Sequence, residues 1–331
     1  MWNPAPRQAA DLQQVAEVIA KRDDWLIVTH ERPDGDALGS AFAMAEMLSS
    51  LGKSWRLLVA EPMPRRFSYL PGFAKAQVAG ERTDRQFQQV IALDCADQGR
   101  YEGVSAYIAD EALVVNIDHH QTNPRYGAAN YVDPQAAATC ELLYHVARQL
   151  GLPLSEALAT CLYTGLLTDT GGFSLPNTTR EVHEIAAELL ASGVQPYDVA
   201  EPALESRTWP QMRLLQSALA NLRLQEDGRL ATLYVTRAML AEAGADDDDA
   251  EGLVGFARSV DTVEVGMLFR ETPDGKVKVS LRSKRRVDVA KIAQEFGGGG
   301  HVRAAGCTLG LPLAEAMNRL TVAVATELGR A

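Results

Sequence analysis

Cysteine is scarce in this sequence: Cys95, Cys140, Cys161 and Cys307 are its only four in 331 residues, and no two form a CxxC pair. That spacing excludes a thiolate zinc knuckle and a disulfide framework, and leaves buried thiols as the expectation. Long apolar runs are missing as well. No stretch approaches the roughly twenty residues a membrane-spanning helix needs. The opening residues, MWNPAPRQAADLQQ, lack the apolar centre of a signal peptide. The expectation is a cytoplasmic protein with no membrane partner. Nor is basic charge in surplus. With 32 Lys+Arg against 43 Asp+Glu and a formal charge of -11, a broad surface for long duplex nucleic acid is excluded, whereas a local basic pocket for a small anion is not. Repeats are absent too. The one biased tract, ADDDDAE at 245–251, reads as a solvated loop feeding the N-terminus of a helix, where negative charge is favoured.

What is present is a chain with 47% apolar residues, enough for two domains. The first half alternates short apolar runs with amphipathic stretches: WLIVTH, ALGSAFAMAEMLSSLG closing on Gly52, SWRLLVA, VIALDCAD and ALVVNIDHH. Such alternation predicts an α/β domain with a mostly parallel sheet flanked by helices. In TTREVHEIAAELLASG, Thr178 and Glu181 fit a capping box and Gly193 a helix stop. From about residue 222 two hairpin-like segments appear, LRLQEDGRLATLYVT and EVGMLFRETPDGKVKVSLRSK, each with an Asp-Gly turn and with helices interleaved. The expected division is a domain over 1–193, a helical hinge over 194–221 and a second, smaller α/β domain with a mixed sheet over 222–331.

In open α/β sheets, sites form beyond the carboxyl ends of the strands. The stretch HERPDGD follows the first apolar run and offers His30, Asp34 and Asp36, with Gly35 expected to let the backbone turn between the two carboxylates. VIALDCAD delivers Asp94, VVNIDHH delivers Asp118, His119 and His120, and LYTGLLTDTGGF delivers Asp169. Taken singly, an aspartate at a strand end is more often a turn or cap residue than a ligand. Two adjacent imidazoles behind an aspartate are harder to assign to packing, because burying them is costly. His145 and His183, inside helical patterns without ligand-like neighbours, read as structural, and Asp97 reads as a capping group or a group supporting the ligands. The set as a whole suits two divalent ions of mixed oxygen and nitrogen preference, with manganese the first expectation. Two such ions roughly 3.5–4 Å apart activate water and polarise a phosphoryl group, so the implied chemistry is phosphoester hydrolysis.

The four segments HERPDGDALGS, ALDCAD, IDHH and TGLLTDTGGF, in this order and spacing, resemble the motifs of the DHH phosphoesterase superfamily over roughly the first 190 residues. The resemblance implies that His30 and Asp34 bind one metal and that Asp36, His119 and Asp169 bind the other. Asp94 would bridge them, His120 would contact the substrate phosphate, and Asp118 would hold the histidines in place. The tail KVSLRSKRRVDVAKIAQEFGGGGHVRAAGC resembles the DHH-associated substrate domain. Its run Gly297, Gly298, Gly299 and Gly300 reads as a ligand loop whose exposed amides cradle phosphate, and His301 can stack or donate. On the strand KVKVSLRSK, Arg282 is placed for a bidentate phosphate contact, with Ser283 beside it and Arg258 a further candidate. Lys284, Arg285 and Arg286 read as an extension of that pocket or as a solvated turn, the turn being favoured.

Length and tail together resemble the branch that trims oligoribonucleotides of about 2–5 residues and dephosphorylates 3'-phosphoadenosine 5'-phosphate (pAp). Such a protein would hold its nucleotide in a basic pocket of the second domain, close about a hinge, and form a homodimer. Four rivals remain. A phosphodiesterase of cyclic or linear dinucleotides shares the motifs but is often joined to membrane or sensory segments. A pyrophosphatase would not need the GGGGH tail, a long-strand exonuclease would need more chain and more basic surface, and a non-catalytic nucleotide sensor would not need all six metal ligands.

Overall fold

The computed structural model describes residues 8–80 and 85–330. The first few residues of the opening stretch, 1–7, lie outside them. The described residues divide into two units, Met1–Ser206 and Arg207–Ala331 in their outer bounds. None of their helices is long and apolar enough to cross a membrane.

In the first unit α1 (Ala9–Lys21) leads to β1 (Trp25–Thr29), α2 (Gly35–Ser50), β2 (Trp55–Val59), β3 (Gln77–Val78), β4 (Phe87–Leu93), β5 (Ile108–Asp118) and β6 (Ala129–Val132). Three helices follow, α3 (Thr139–Gln149), α4 (Glu156–Asp169) and α5 (Arg180–Ala191), then a short α6 (Pro196–Ala200). The sheet order is β3-β2-β1-β4-β5-β6 and every pairing is parallel. β1 is buried throughout, as a central parallel strand covered on both faces must be. The order reverses between β1 and β4, which is where such sheets open a crevice at their carboxyl ends.

The helix stack under that crevice depends on missing side chains. A Cβ on Gly39 of α2 would lie 2.6 Å from the Cys161 carbonyl of α4, and one on Gly165 of α4 would lie 2.3 Å from Cys140 Sγ and 2.4 Å from Asp36 Oδ1. Gly35 belongs to the same contact. It is the first residue of α2, and a Cβ there would meet the Thr168 side chain at 2.4 Å, so close packing against α4, rather than the expected turn, demands glycine. At the start of α5 the expected cap moves by one residue. Thr179, not Thr178, accepts from the Val182 N–H, and the Thr178 hydroxyl is buried without a hydrogen bond. Gly193 does follow the helix end, with φ +112.

The second unit comprises α7 (Trp209–Ala220), β7 (Arg223–Gln225), β8 (Leu230–Val235), α8 (Arg237–Ala243), α9 (Leu253–Ser259), β9 (Val265–Glu271), β10 (Val277–Ser283), α10 (Val289–Glu295), β11 (Gly299–His301), β12 (Ala304–Leu309) and α11 (Leu313–Arg330). Its sheet is mixed, in the order β11-β12-β10-β9-β8-β7, with β8 and β9 parallel and the other pairs antiparallel. One face, carrying Val265, Met267, Phe269, Val277, Val279 and Leu281, packs with α10 and α11. The other packs Leu233 and Leu268 with α7, α8 and α9. The segment 194–221 is shared out between the units. Val199 and Ala203 pack in the first core, whereas Leu214 and Ala218 of α7 pack in that of the second.

Candidate dimetal site and anion pocket

β1 runs out into His30 at the switch point, and α2 then begins at Gly35 with Asp34 as its N-cap, accepting from the N–H groups of Asp36 and Ala37. β4 ends at Leu93 and turns at Asp94, whose φ of +58 is sparsely populated for a residue with a side chain. That turn sends a carboxylate that is almost wholly buried into the crevice. β5 ends on Asp118, so His119 and His120 stand at the next strand end. Asp169 is the last residue of α4.

These residues converge. His30 Nδ1 donates to the Glu31 carbonyl and His119 Nδ1 to the Ala136 carbonyl, which leaves both Nε2 atoms for the cluster. His30 Nε2 lies 3.5 Å from Asp94 Oδ2 and 3.9 Å from Asp34 Oδ1. His119 Nε2 lies 3.6 Å from Asp94 Oδ1, 4.0 Å from Asp36 Oδ2 and 3.3 Å from Asp169 Oδ2. Asp94 therefore turns one oxygen to each histidine. Two three-residue donor sets result, His30/Asp34/Asp94 and Asp36/His119/Asp169, each with its ligand atoms within 4.8 Å of one another.

Most of these gaps are too long for hydrogen bonds, and they match donors spread around a small cation with bonds of about 2.1 Å. Among the described residues, the ion pairs of Asp34, Asp36, Asp94 and Asp169 involve histidine only. Burial, aided by the charge of Asp94, pushes the Asp36 carboxyl up to about 7. Burial and the charges of Asp36, Asp34 and Asp94 push Asp169 well above the carboxylate range. Burial opposes charge on His30, yet the neighbouring carboxylates of Asp34 and Asp94 outweigh it and raise it to about 10. Anions that resist ionising beside imidazoles that hold protons indicate a place where positive charge belongs, and the donor set fits divalent metal.

Apart from Asp118, expected to hold the histidines in place, the supporting groups went unseen in the sequence. The N-terminus of α3 meets Asp36: the N–H groups of Thr139 and Cys140 donate to it at 2.6 and 3.0 Å, and the Thr139 hydroxyl donates to Asp94 at 2.9 Å. His120 Nδ1 donates to Asp118 at 2.7 Å, and Asn123 donates to the other Asp118 oxygen at 2.6 Å. Asn123 also donates to Asn116 and to the Cys95 carbonyl. The hydrogen bond to Asp118 raises His120, and burial, which opposes ionisation of Asp118, is outweighed by His120 so that Asp118 is lowered. Asn177 donates to the Asp169 and Ala137 carbonyls and ties the end of α4 to the segment before α3. Local spacing could have flagged only Asn123, three residues after the double histidine. Asp97 sits at the N-cap of a 3-10 turn over Gln98–Tyr107 but makes no side-chain cap bond. His145 has acidic neighbours after all, with Glu141 and Glu181 in reach.

In the second unit α9 covers part of one sheet face, and the remainder is a cavity of about 420 Å³. Arg270, Lys278, Ser280, Arg282, Gly299, Gly300 and Gly306 line it, and Glu251 and Gly252 stand at the helix side. Burial, then the nearby charge of Arg258, lowers Arg282. Arg258 itself is not part of the wall. Ser283 is a correction: strand alternation turns it to the core face, where it is 1% exposed and its hydroxyl donates to the Val287 carbonyl at 2.7 Å. The glycine run is a second correction, because its second half is strand, not loop. Gly299–His301 is a strand on β12, and the glycines are needed for closeness: a Cβ on Gly298 would lie 2.1 Å from the Gly306 carbonyl and one on Gly300 2.5 Å from that of Ala304. Gly299 has open space above it and Gly298 is absent from the wall. His301 is exposed at the strand end.

Comparison with known proteins gives two family matches. Residues 24–166 match the DHH family, N-terminal domain, and residues 227–328 match the DHHA1 domain. The chain is 39% identical over 99% of its length, and 98% of the relative's, to the bifunctional oligoribonuclease and PAP phosphatase NrnA of Thermus thermophilus. It is 26% identical to the protein of that name from Bacillus subtilis, over 89% of this chain and 92% of the other. Among solved structures, an exopolyphosphatase-related protein from Bacteroides fragilis superposes with a TM-score of 0.88 at 26% identity, covering 95% of each chain. With its metal-fitting donor set at the switch point and its two matched domains, the chain belongs to the DHH family of phosphoesterases and is a hydrolase.

Proposed function

We propose that the protein is a manganese-dependent phosphoesterase that hydrolyses short oligoribonucleotides to mononucleotides and converts pAp to AMP. The observation that carries this reading is that Asp94 turns one carboxylate oxygen to His30 and the other to His119. Strong overall similarity to relatives named for those two activities supports the substrate class. His30 and Asp34 would hold one ion, Asp36, His119 and Asp169 the other, and Asp94 would serve both. When bound, the pair supplies positive charge for the phosphoryl oxygens and makes water a competent nucleophile.

The chain's own groups do the rest. Asp118 accepts from His120 Nδ1 and favours its protonated form, so Nε2–H can donate to a phosphate oxygen as negative charge builds there. Asn123 and the N-terminus of α3 hold Asp118 and Asp36 in place. Arg282 in the second unit binds an anionic group of the nucleotide, and the surface of Gly299 and Gly300 accommodates its body. Overall acidity elsewhere favours small substrates over long nucleic acid.

The test is a product assay with purified protein and manganese, magnesium or zinc, offering pAp, RNAs from two to about twenty-four nucleotides and cyclic di-AMP. Mononucleotides from the shortest RNAs and AMP from pAp, highest with manganese, are expected. Cleavage of the cyclic dinucleotide alone would overturn the substrate assignment.

A further inference from the structure

The open sheet face of the second unit carries cations at both ends. Register places Lys278 opposite Arg270, Ser280 opposite Leu268, and Arg282 opposite Gly266, while on the other side Ser280 faces Gly306 and Arg282 faces Ala304. Lys278, Ser280 and Arg282 share the face opposite to Val277, Val279 and Leu281. In the middle row Ser280, Gly306 and Gly299 are small, and Leu268 packs towards the helices. Lys278 and Arg282 are four residues apart, about 13 Å along a strand. Their backbone positions are thus farther apart than one phosphate is wide.

The Arg270 end is built, not incidental. Arg270 has a side chain only 12% exposed, is paired with Asp247 at 3.0 Å, and also donates to the Asp247 carbonyl. Arg237 holds both oxygens of Asp247 at 3.1 Å, and its N–H donates to Glu271. Arg237, Arg270 and Lys278 thus gather at this end around Asp247 and Glu271. The acidic tract that read as a solvated loop supplies Asp247 to fix Arg270 at the cavity wall.

We infer that Arg270 and Lys278 form a second phosphate subsite, more than one nucleotide step from Arg282, which a linear oligonucleotide fills and pAp leaves empty. Asp247 is its positioning residue. The inference rests on the nucleotide reading of the cavity given above, and it makes this face a selector of chain length.

The experiment measures binding to metal-free full-length protein, in which no ligand is cleaved, by titration with pAp and with 5'-phosphorylated oligoadenylates of two to five nucleotides. Wild type should gain roughly tenfold or more in affinity at the length that reaches both ends, the size expected for one charge-assisted contact. Lys278→Met should erase that gain while pAp binding is unchanged, and Lys278→Arg should restore it. The slope of log affinity against log salt for the longer ligands should fall by about 0.7 in the Met variant, because one phosphate fewer is neutralised. Equal loss on pAp, a gain that survives in Lys278→Met, or no gain in wild type would overturn the subsite. Adding manganese to wild type separates this from the parent reading: length-dependent binding without any hydrolysis would sink the enzyme and leave the subsite standing.

Discussion

Replacing Gly165 by alanine tests whether the metal ligands are positioned by helix packing. The added Cβ would lie 2.3 Å from Cys140 Sγ, 2.4 Å from Asp36 Oδ1 and 2.7 Å from Cys140 Cβ. None of these can retreat cheaply. Cys140 is fully buried and its N–H holds Asp36, whose other oxygen is held by Thr139. Relief requires α4 to move away from α2 and α3. Overpacking of this kind costs about 1–3 kcal/mol. For a unit of this size that is a melting shift of about 2–12 °C downwards. Because Asp169 ends the same helix, its carboxylate should be displaced from His119, and manganese-supported turnover should fall by at least about tenfold. Calorimetry and steady-state assay check both. Gly329→Ala in α11, where a Cβ meets nothing within 4 Å, is the control and should leave turnover unchanged. A Gly165→Ala protein with unaltered melting and full turnover would refute the packing argument.

Other expectations follow from the same contacts. Asp94→Ala should abolish turnover at every pH and reduce bound manganese below two ions per chain, measured by elemental analysis; retained activity would sink the dimetal assignment. Asn123→Ala removes a donor to Asp118 and should lower kcat about 10–100-fold with metal content retained, since His120 loses its fixed orientation. In metal-free protein the raised carboxyl of Asp36 favours the folded state at low pH, so its stabilising effect is full below the unfolded value near 3.8 and is lost as pH rises through about 7. His30, raised to about 10, acts in the same direction from its unperturbed value of 6.5 upwards. Melting in EDTA should therefore fall from pH 5 to pH 8, and manganese should flatten that slope. Ser283→Ala should cost about 1 kcal/mol of stability without raising KM, whereas Arg282→Ala should raise KM for pAp; a KM effect from Ser283 would restore it to the pocket.

Much of the first unit was legible because its signals are local. Apolar runs mark buried strands by composition alone, and a strand end followed by Asp or His announces itself within a few residues. His30, Asp34, Asp36, Asp94, Asp118, His119, His120 and Asp169 could be chosen that way, and the resemblance of their four segments to one family turned separate weak readings into a set. The mixed second sheet followed from two Asp-Gly turns between alternating runs. The same locality explains the misses. Thr178 and Thr179 are both competent caps, and only the path of the chain into α5 selects the second. Ser283 follows Arg282 directly, and in a strand that neighbour points to the opposite face.

By itself the sequence determined the kind of chemistry, because metal-binding side chains at the ends of apolar strands are encoded residue by residue. Only the tertiary structure decided which groups meet. Asp94 can face two histidines because parallel pairing places β1 beside β4 and β4 beside β5. The N-terminus of α3 can hold Asp36, 103 positions earlier, because glycines bring α2, α3 and α4 together. Lys278 and Arg270 become one end of a cavity because register sets them opposite each other, and α9 leaves that part of the sheet uncovered. Such contacts join residues far apart in the chain, and no local pattern records them.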